Sequence, residues 1–150
     1  MRAVVQRVQR AAVHITGQPS SAIGRGFLIL LGIQEGDQAA DLEWLCGKVA
    51  RLRVFPDDSG KMTLALADIG GEALVVSQFT LMASTVKGNR PDFLRSAKPD
   101  EAKRLYQAFA DQLTQLLGRP VQTGVFAADM QVELVNDGPV TIVIDSRLRE

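Results

Sequence analysis

Apolar residues follow two different spacings along the chain, and the switch between them marks its elements. Residues 3–8 and 11–16 are rich in β-formers, and residues 27–33 are a continuous apolar run punctuated by Gly24, Gly26 and Gly32. A run that short, bounded by glycines, suits a strand buried on both faces. The spacing then becomes helical. Leu42, Leu45, Cys46, Val49 and Leu52 fall at i, i+3, i+4, i+7 and i+10, behind Asp37 as a candidate N-cap. Pro56-Asp57-Asp58-Ser59-Gly60 reads as a turn, and residues 73–81 as another strand. A second helix starts at Pro99, with Asp100 and Glu101 suited to its positive end. Its stripe is Ala102, Leu105, Tyr106, Phe109, Leu113, Leu116 and Leu117, and Gly118 with Pro120 ends it. The chain returns to β at residues 121–126, 131–135 and 140–144.

Three strands, a helix, strands, a helix and three strands lack the regular alternation of a doubly wound sheet. The order predicts a single α+β domain over residues 1–150: a largely antiparallel sheet or open β-barrel with two helices packed on it. No repeat or linker interrupts it. The last strand is preceded by Gly138-Pro139, and because proline cannot donate to a ladder this dipeptide belongs at an edge, a bulge or a strand start.

Length and composition fit this picture. A chain of 150 residues has the usual size of one domain. With 46% hydrophobic and 23% charged residues it reads as a soluble globular protein. No apolar run approaches the ~20 residues of a membrane-spanning helix, and the arginines near the N-terminus do not match a signal peptide, so a cytoplasmic location and no membrane partner are expected. Cys46, the sole cysteine, reads as a small buried hydrophobe. The net charge of zero gives no global field for nucleic acid, and DNA is not an expected partner. Charge is nevertheless uneven. Arg2, Arg7, Arg10 and Arg25 precede the first acid, Glu35, and Lys87, Arg90, Arg95 and Lys98 cluster around Asp92 alone. Were the two groups to share a face, a neutral chain would present a phosphate-binding patch; scattered solvated charge is the equal alternative.

Several chemistries lack their residues. The only histidine, His14, sits in a β-patterned segment, which leaves no imidazole for a Ser-His or Cys-His nucleophile. One histidine and one cysteine make no zinc set, and no cofactor is expected. Asp57-Asp58 is an exposed turn. Gly47-Lys48 and Gly60-Lys61 lack the upstream glycine of a phosphate loop, and Gly24-Arg25-Gly26 lacks the third glycine of a dinucleotide site. Hydroxyls and backbone remain. In Ser77-Gln78-Phe79-Thr80-Leu81, small hydroxylated residues end a strand, where exposed N–H groups can form an anion or oxyanion nest.

Ser77-Gln78-Phe79-Thr80-Leu81 together with Asn136-Asp137-Gly138-Pro139-Val140-Thr141 resembles the paired signature of the D-aminoacyl-tRNA deacylases, the bacterial and eukaryotic type once called D-tyrosyl-tRNA deacylase. The likeness covers essentially the whole chain. Residues 1–8, the run 26–32, Lys87-Gly88-Asn89-Arg90-Pro91, Thr123-Gly124-Val125-Phe126 and Ala128-Asp129-Met130 all fall in the family's order.

The resemblance implies hydrolysis of the ester of D-aminoacyl-tRNA, and of mischarged glycyl-tRNA, by a homodimer that binds the aminoacyl-tRNA acceptor end. It implies a cis Gly138–Pro139 bond that enters the partner's active site, where its carbonyls receive the α-ammonium and leave no room for an L side chain. Ser77, Gln78, Phe79 and Thr80 would line the ester site, with N–H groups near Phe79 and Thr80 for the oxyanion and the terminal 2'-hydroxyl helping to activate water. Arg7 would lock the Gly138-Pro139 segment. Phe126, Ala128 and Met130 would border the adenosine. Two positions depart from the family's pattern: Ala127, where glycine is common, and Ser84, where an acid is common. The alternatives are a Thr80-dependent acyl hydrolase or transferase acting on another ester, and a non-catalytic dimer that binds RNA ends.

Overall fold

A computed structural model describes residues 1–17 and 21–149. Its centre is β1 (Arg2–His14). Along one edge of β1 run β2 (Ser21–Ile23) and β3 (Gly26–Gly32), and along the other the long β8 (Gln131–Asp145), all antiparallel to it. The sheet continues from β3 to β6 (Glu72–Ser77) and β7 (Gln122–Thr123). Those last two pairings are parallel, because each returns through a helix: α1 (Ala39–Ala50) precedes β6 and α2 (Pro99–Leu117) precedes β7. The sheet is thus mixed within the expected α+β, barrel-like domain. A small hairpin of β4 (Phe55–Pro56) and β5 (Met62–Leu64) flanks the turn at Asp57.

Both helices pack on one face of the sheet. Ala3, Val5, Phe27, Ile29, Leu31, Ala73 and Val75 point toward Leu45, Cys46, Val49, Leu105, Phe109 and Leu113. Val8, Ala11, Val13, Leu28, Leu74 and Val76 form a second cluster on the other side. The change of face along β1, from Ala3 and Val5 to Val8, coincides with register shifts against β8 around Val8. A bulge bends a strand and re-aims its side chains, and here it curls the sheet over a second core. It also explains why 3–8 and 11–16 form one strand and not two.

Three further expectations are corrected. Segments 131–135 and 140–144 are one strand, β8, with Gly138-Pro139 inside it at the bulge. Segment 73–81 is strand only to Ser77, after which a 3-10 turn takes Phe79–Met82. Asp37 does not cap α1. Gln38 does, with its N–H donating to Asp41 Oδ2 at 3.0 Å. The Asp37 carboxylate is instead buried, 2.7 Å from the Met1 α-ammonium and 2.9 Å from Arg147. A buried carboxylate is held by paired charges, and here Met1 and Arg147 take one oxygen of Asp37 each. No helix among the described residues is long and apolar enough to cross a membrane.

Candidate active site

The turn after β6 is set by the end of its neighbour. Gln78 N–H makes the last ladder bond, to the Leu31 carbonyl at 2.8 Å, and β3 stops at Gly32. A Cβ on Gly32 would lie 2.8 Å from Met82 Cε and 3.0 Å from the Gln78 carbonyl, so glycine lets the chain fold back over the strand. Leu81 N–H then bonds the Gln78 carbonyl at 3.2 Å. The N–H groups of Phe79 and Thr80 open the turn, where a helix has no internal acceptor for them. Ser77 and Gln78 are half-buried, and Phe79 and Thr80 are exposed.

The side chains here carry no acid–base pair. Gln78 Nε2 donates to Thr80 Oγ1. This occupies a lone pair of the hydroxyl and does nothing to remove its proton. His14 lies on another strand, 3.4 Å from Glu133. Cys46 is buried, and burial pushes its thiol up to about 12. Among the described residues no three His, Cys, Asp or Glu side chains gather as metal ligands would.

A second segment leaves the same end of the sheet. Thr123 is in register with Val75, and Gly124 N–H bonds the Val75 carbonyl at 3.1 Å, so residues 124–130 emerge beside Ser77. Tyr106 of α2 fastens them: its hydroxyl donates 2.9 Å to the Val75 carbonyl and lies 3.4 Å from the Gly124 carbonyl. Burial pushes this phenol up to about 12, so it remains a donor. Phe126 packs with its ring centroid 6.0 Å from that of Tyr106. Ala127 has φ +61°, and Ala128 N–H closes a turn onto the Val125 carbonyl at 3.2 Å. Met130 covers Gly124, where a Cβ would meet its sulfur at 2.8 Å.

Gly138 and Pro139 lie elsewhere. The cis Gly138–Pro139 bond sits on β8 opposite Arg7, in a stretch clamped from both sides. Arg7 Nε donates to the Asp137 carbonyl at 3.1 Å and Nη1 to the Val54 carbonyl at 2.5 Å, while Asp137 Oδ2 pairs with the same guanidinium at 3.1 Å. Asn136 Nδ2 donates to the Arg7 carbonyl at 2.9 Å and the Val140 carbonyl at 3.0 Å. Beside the clamp is an open cavity of 480 Å³ lined by Arg7, Gln9, Arg25, Pro56 and Asp137.

Register gives the spacing between the two regions. Arg7 aligns with Phe27 and Ala73, whereas Ala3 aligns with Leu31 and Ser77. Gly138-Pro139 is therefore three strands and four residues from Ser77, roughly 19 Å at ordinary strand spacings. One chain brings Ser77, Gln78, Phe79, Thr80, Phe126, Ala128 and Met130 to one end of the sheet, and Arg7, Gly138 and Pro139 to another place.

Sequence reasoning missed Tyr106 as part of these regions, and it quoted Asn136 in the signature without giving it a role. Tyr106 was legible only as helix stripe, although a buried hydroxyl demands a partner. The N-terminal arginines do not join the cluster around Asp92 in a free patch. Arg2 pairs with Asp145, Arg7 with Asp137 and Arg10 with Glu133, and Arg25 lies over the Phe55 ring.

Fold and site together define a two-helix α+β protein with an exposed 3-10 turn at the end of its parallel strand β6. The chain belongs to the D-Tyr-tRNA(Tyr) deacylase family, whose pattern it matches over residues 4–145. It is similar to the D-aminoacyl-tRNA deacylases of Parabacteroides distasonis and Akkermansia muciniphila, each 55% identical over 150 residues and covering the whole of both chains. Among solved structures it resembles one titled c-Myc DNA Unwinding Element Binding Protein, with TM-score 0.91, 46% identity, and coverage of 97% of this chain and 98% of that one. A probable eukaryotic D-amino acid tRNA deacylase shares the fold, with TM-score 0.84, 17% identity, and coverage of 96% and 98%.

Proposed function

We propose that this member of the deacylase family, a hydrolase of the aminoacyl ester of D-aminoacyl-tRNA, cleaves that ester at the Ser77–Thr80 turn, and that Gly138-Pro139 of a second copy supplies its selection against L residues. The observation that carries the reading is the opening of the turn: Phe79 and Thr80 occupy the first positions of the 3-10 turn, where backbone N–H groups have no acceptor within the helix, and both residues are exposed. Preorganised backbone donors stabilise the oxyanion that forms as water attacks an ester carbonyl, and losing one such donor in an enzyme typically costs ~10²–10³-fold in rate. The 2'-hydroxyl of the terminal adenosine helps position the water, and the segment from Phe126 to Met130 borders the adenosine on the same end of the sheet. Achiral glycine, having no side chain, is admitted as well.

Selection by a second copy is supported by distance. Within one chain the Gly138-Pro139 segment is too far from Ser77 to touch a bound aminoacyl group, so a homodimer completes the site. The segment suits exclusion because Arg7 and Asn136 hold its backbone on both sides. A wall that cannot yield rejects an L side chain by shape, which exceeds the ~1–3 kcal/mol available from a missing methylene. The site lies in the cytoplasm, where aminoacyl-tRNA is made.

The test is single-turnover hydrolysis of D-Tyr-tRNA and L-Tyr-tRNA by the parent and by Thr80→Ala. Release of the D residue alone, surviving in Thr80→Ala, is the expected result. Complete loss in a folded Thr80→Ala variant would establish the Thr80 nucleophile. Binding without release from either tRNA would leave only an RNA-end binding dimer.

A further inference from the structure

The segment beyond the turn forms a cationic arm. Ser84 and Asp92 bond each other through both backbone pairs at 2.9 Å, closing a loop of residues 85–91 with Lys87 and Arg90 at its tip. Within it Gly88 N–H closes a turn onto the Thr85 carbonyl at 3.2 Å, and residues 85–90 are exposed. The base is fastened to the catalytic turn. Phe93 meets the Phe79 ring edge-on at 5.0 Å, Ser96 Oγ donates to the Phe79 carbonyl at 3.3 Å, and Arg95 donates to the Ala83 carbonyl at 2.9 Å.

The charges at the tip are uncommitted. Neither Lys87 nor Arg90 is ion-paired among the described residues. The nearest acid in sequence, Asp92, spends an oxygen on Leu94 N–H at 3.3 Å. Beside these cations Val86 is 92% exposed and Leu94 82%, unusually open for apolar side chains. Exposed cations interleaved with apolar surface suit a strand of nucleic acid whose bases are unstacked, since the backbone takes the charges and the base faces take the apolar contacts.

We propose that this arm grips the phosphodiester backbone of the single-stranded RNA end immediately 5' of the adenosine held at the turn, with Lys87 and Arg90 as its phosphate contacts. The inference rests on the ester-hydrolase reading of the neighbouring turn and adds the part of the substrate that the turn cannot reach. The contact carries no base specificity, because point charges on phosphates position a strand without reading it. It therefore lets the enzyme accept many tRNAs while favouring RNA over a free aminoacyl nucleoside.

The experiment compares kcat/KM for D-Tyr-tRNA and for 3'-O-(D-tyrosyl)adenosine, which has no phosphate, between 50 and 200 mM KCl. Each single-strand phosphate contact contributes about 0.7 to the slope of log affinity against log salt, so Lys87→Gln with Arg90→Gln should flatten the tRNA slope by about 1.4. The preference for tRNA over the nucleoside should fall about tenfold. Arg90→Gln alone should show about half the change in slope. Removing two charges elsewhere, with Lys61→Gln and Lys103→Gln, should leave the slope as it was. An unchanged slope in the loop variants, or an equal change in the control, overturns the arm while leaving the hydrolase intact. Failure of the parent protein to release tyrosine from either substrate overturns both.

Discussion

A Cβ placed on Gly138 would lie 2.7 Å from Nη2 of Arg7, and Gly138 holds φ at +120°. The contact is too short for any carbon to occupy, and the guanidinium cannot swing away because Val54 and Asp137 hold it. Left-handed backbone of this kind is costly for an L residue, on the order of 1–3 kcal/mol. Gly138→Ala should therefore lower the melting temperature by roughly 2–12 °C, at the ~2–4 °C per kcal/mol of a chain this size. Because the segment is displaced, the variant should also release L-tyrosine from L-Tyr-tRNA faster relative to the D form. A melting temperature within 1 °C of the parent, read by calorimetry, would contradict the argument.

Arg7 itself should not tolerate lysine. Its fork reaches two carbonyls and a carboxylate from different segments, whereas an ammonium is a single point with no planar geometry. Hydrogen bonds from charged donors contribute about 1.5–3 kcal/mol each, and Arg7→Lys should lose at least one of them. The expected result is a drop of about 2 kcal/mol in urea denaturation, with chiral discrimination impaired as in Gly138→Ala. Retention of full discrimination would mean that the clamp is dispensable.

Ala127 offers the opposite sign. Its φ of +61° is left-handed, a conformation that costs an L residue ~1–2 kcal/mol. Glycine removes that cost but gives back ~0.4–1 kcal/mol through the freer unfolded chain. Ala127→Gly should thus stabilise the protein by about 0.5 kcal/mol, raising its melting temperature by roughly 1–2 °C. A fall in melting temperature would show that the alanine methyl makes packing worth more than the strain.

How much of this was legible depended on whether the signal was local. Both helices followed from their stripes, and the β-rich segments from their composition. The antiparallel pairing expected around β1 is there, but the parallel pairs were not legible, because they depend on where α1 and α2 return the chain. Nor did alternation alone show that two apparent strands on each of β1 and β8 join through a bulge, since a bulge breaks the very periodicity that announces a strand. Gly138-Pro139 belonged at an edge, a bulge or a strand start by its missing donor; it lies at a bulge of the edge strand β8 and not at a strand start. The end of β6 was overrun because Phe79 and Thr80 are good strand formers, and the strand ends only because its neighbour β3 stops at Gly32, whose missing Cβ lets the turn fold back. Arginine counts decided least, leaving a shared patch and scattered charge equally open: a basic N-terminal stretch says nothing about Asp145, Asp137 and Glu133, which arrive from the far end of the chain.

The two groups with the most displaced titrations are both buried in the core shared by the helices and the sheet, and they act in the same direction. Cys46 is raised from 9.0 to about 12 and Tyr106 from 10.0 to about 12, in each case chiefly by burial. Above the unfolded-state values the unfolded chain gives up these protons while the folded chain keeps them, so unfolding releases protons and stability falls as pH rises. The loss begins near pH 9 for Cys46 and near pH 10 for Tyr106, and it continues to about pH 12 at about 1.4 kcal/mol per unit for each group. Urea midpoints measured between pH 7 and 11 should therefore stay level to pH 8 and then decline steeply. Cys46→Ala should be less stable than the parent at pH 7, because a cavity replaces the sulfur, yet decline less between pH 9 and 10. Parallel curves for parent and variant across that interval would show that the Cys46 thiol does not govern the alkaline limb.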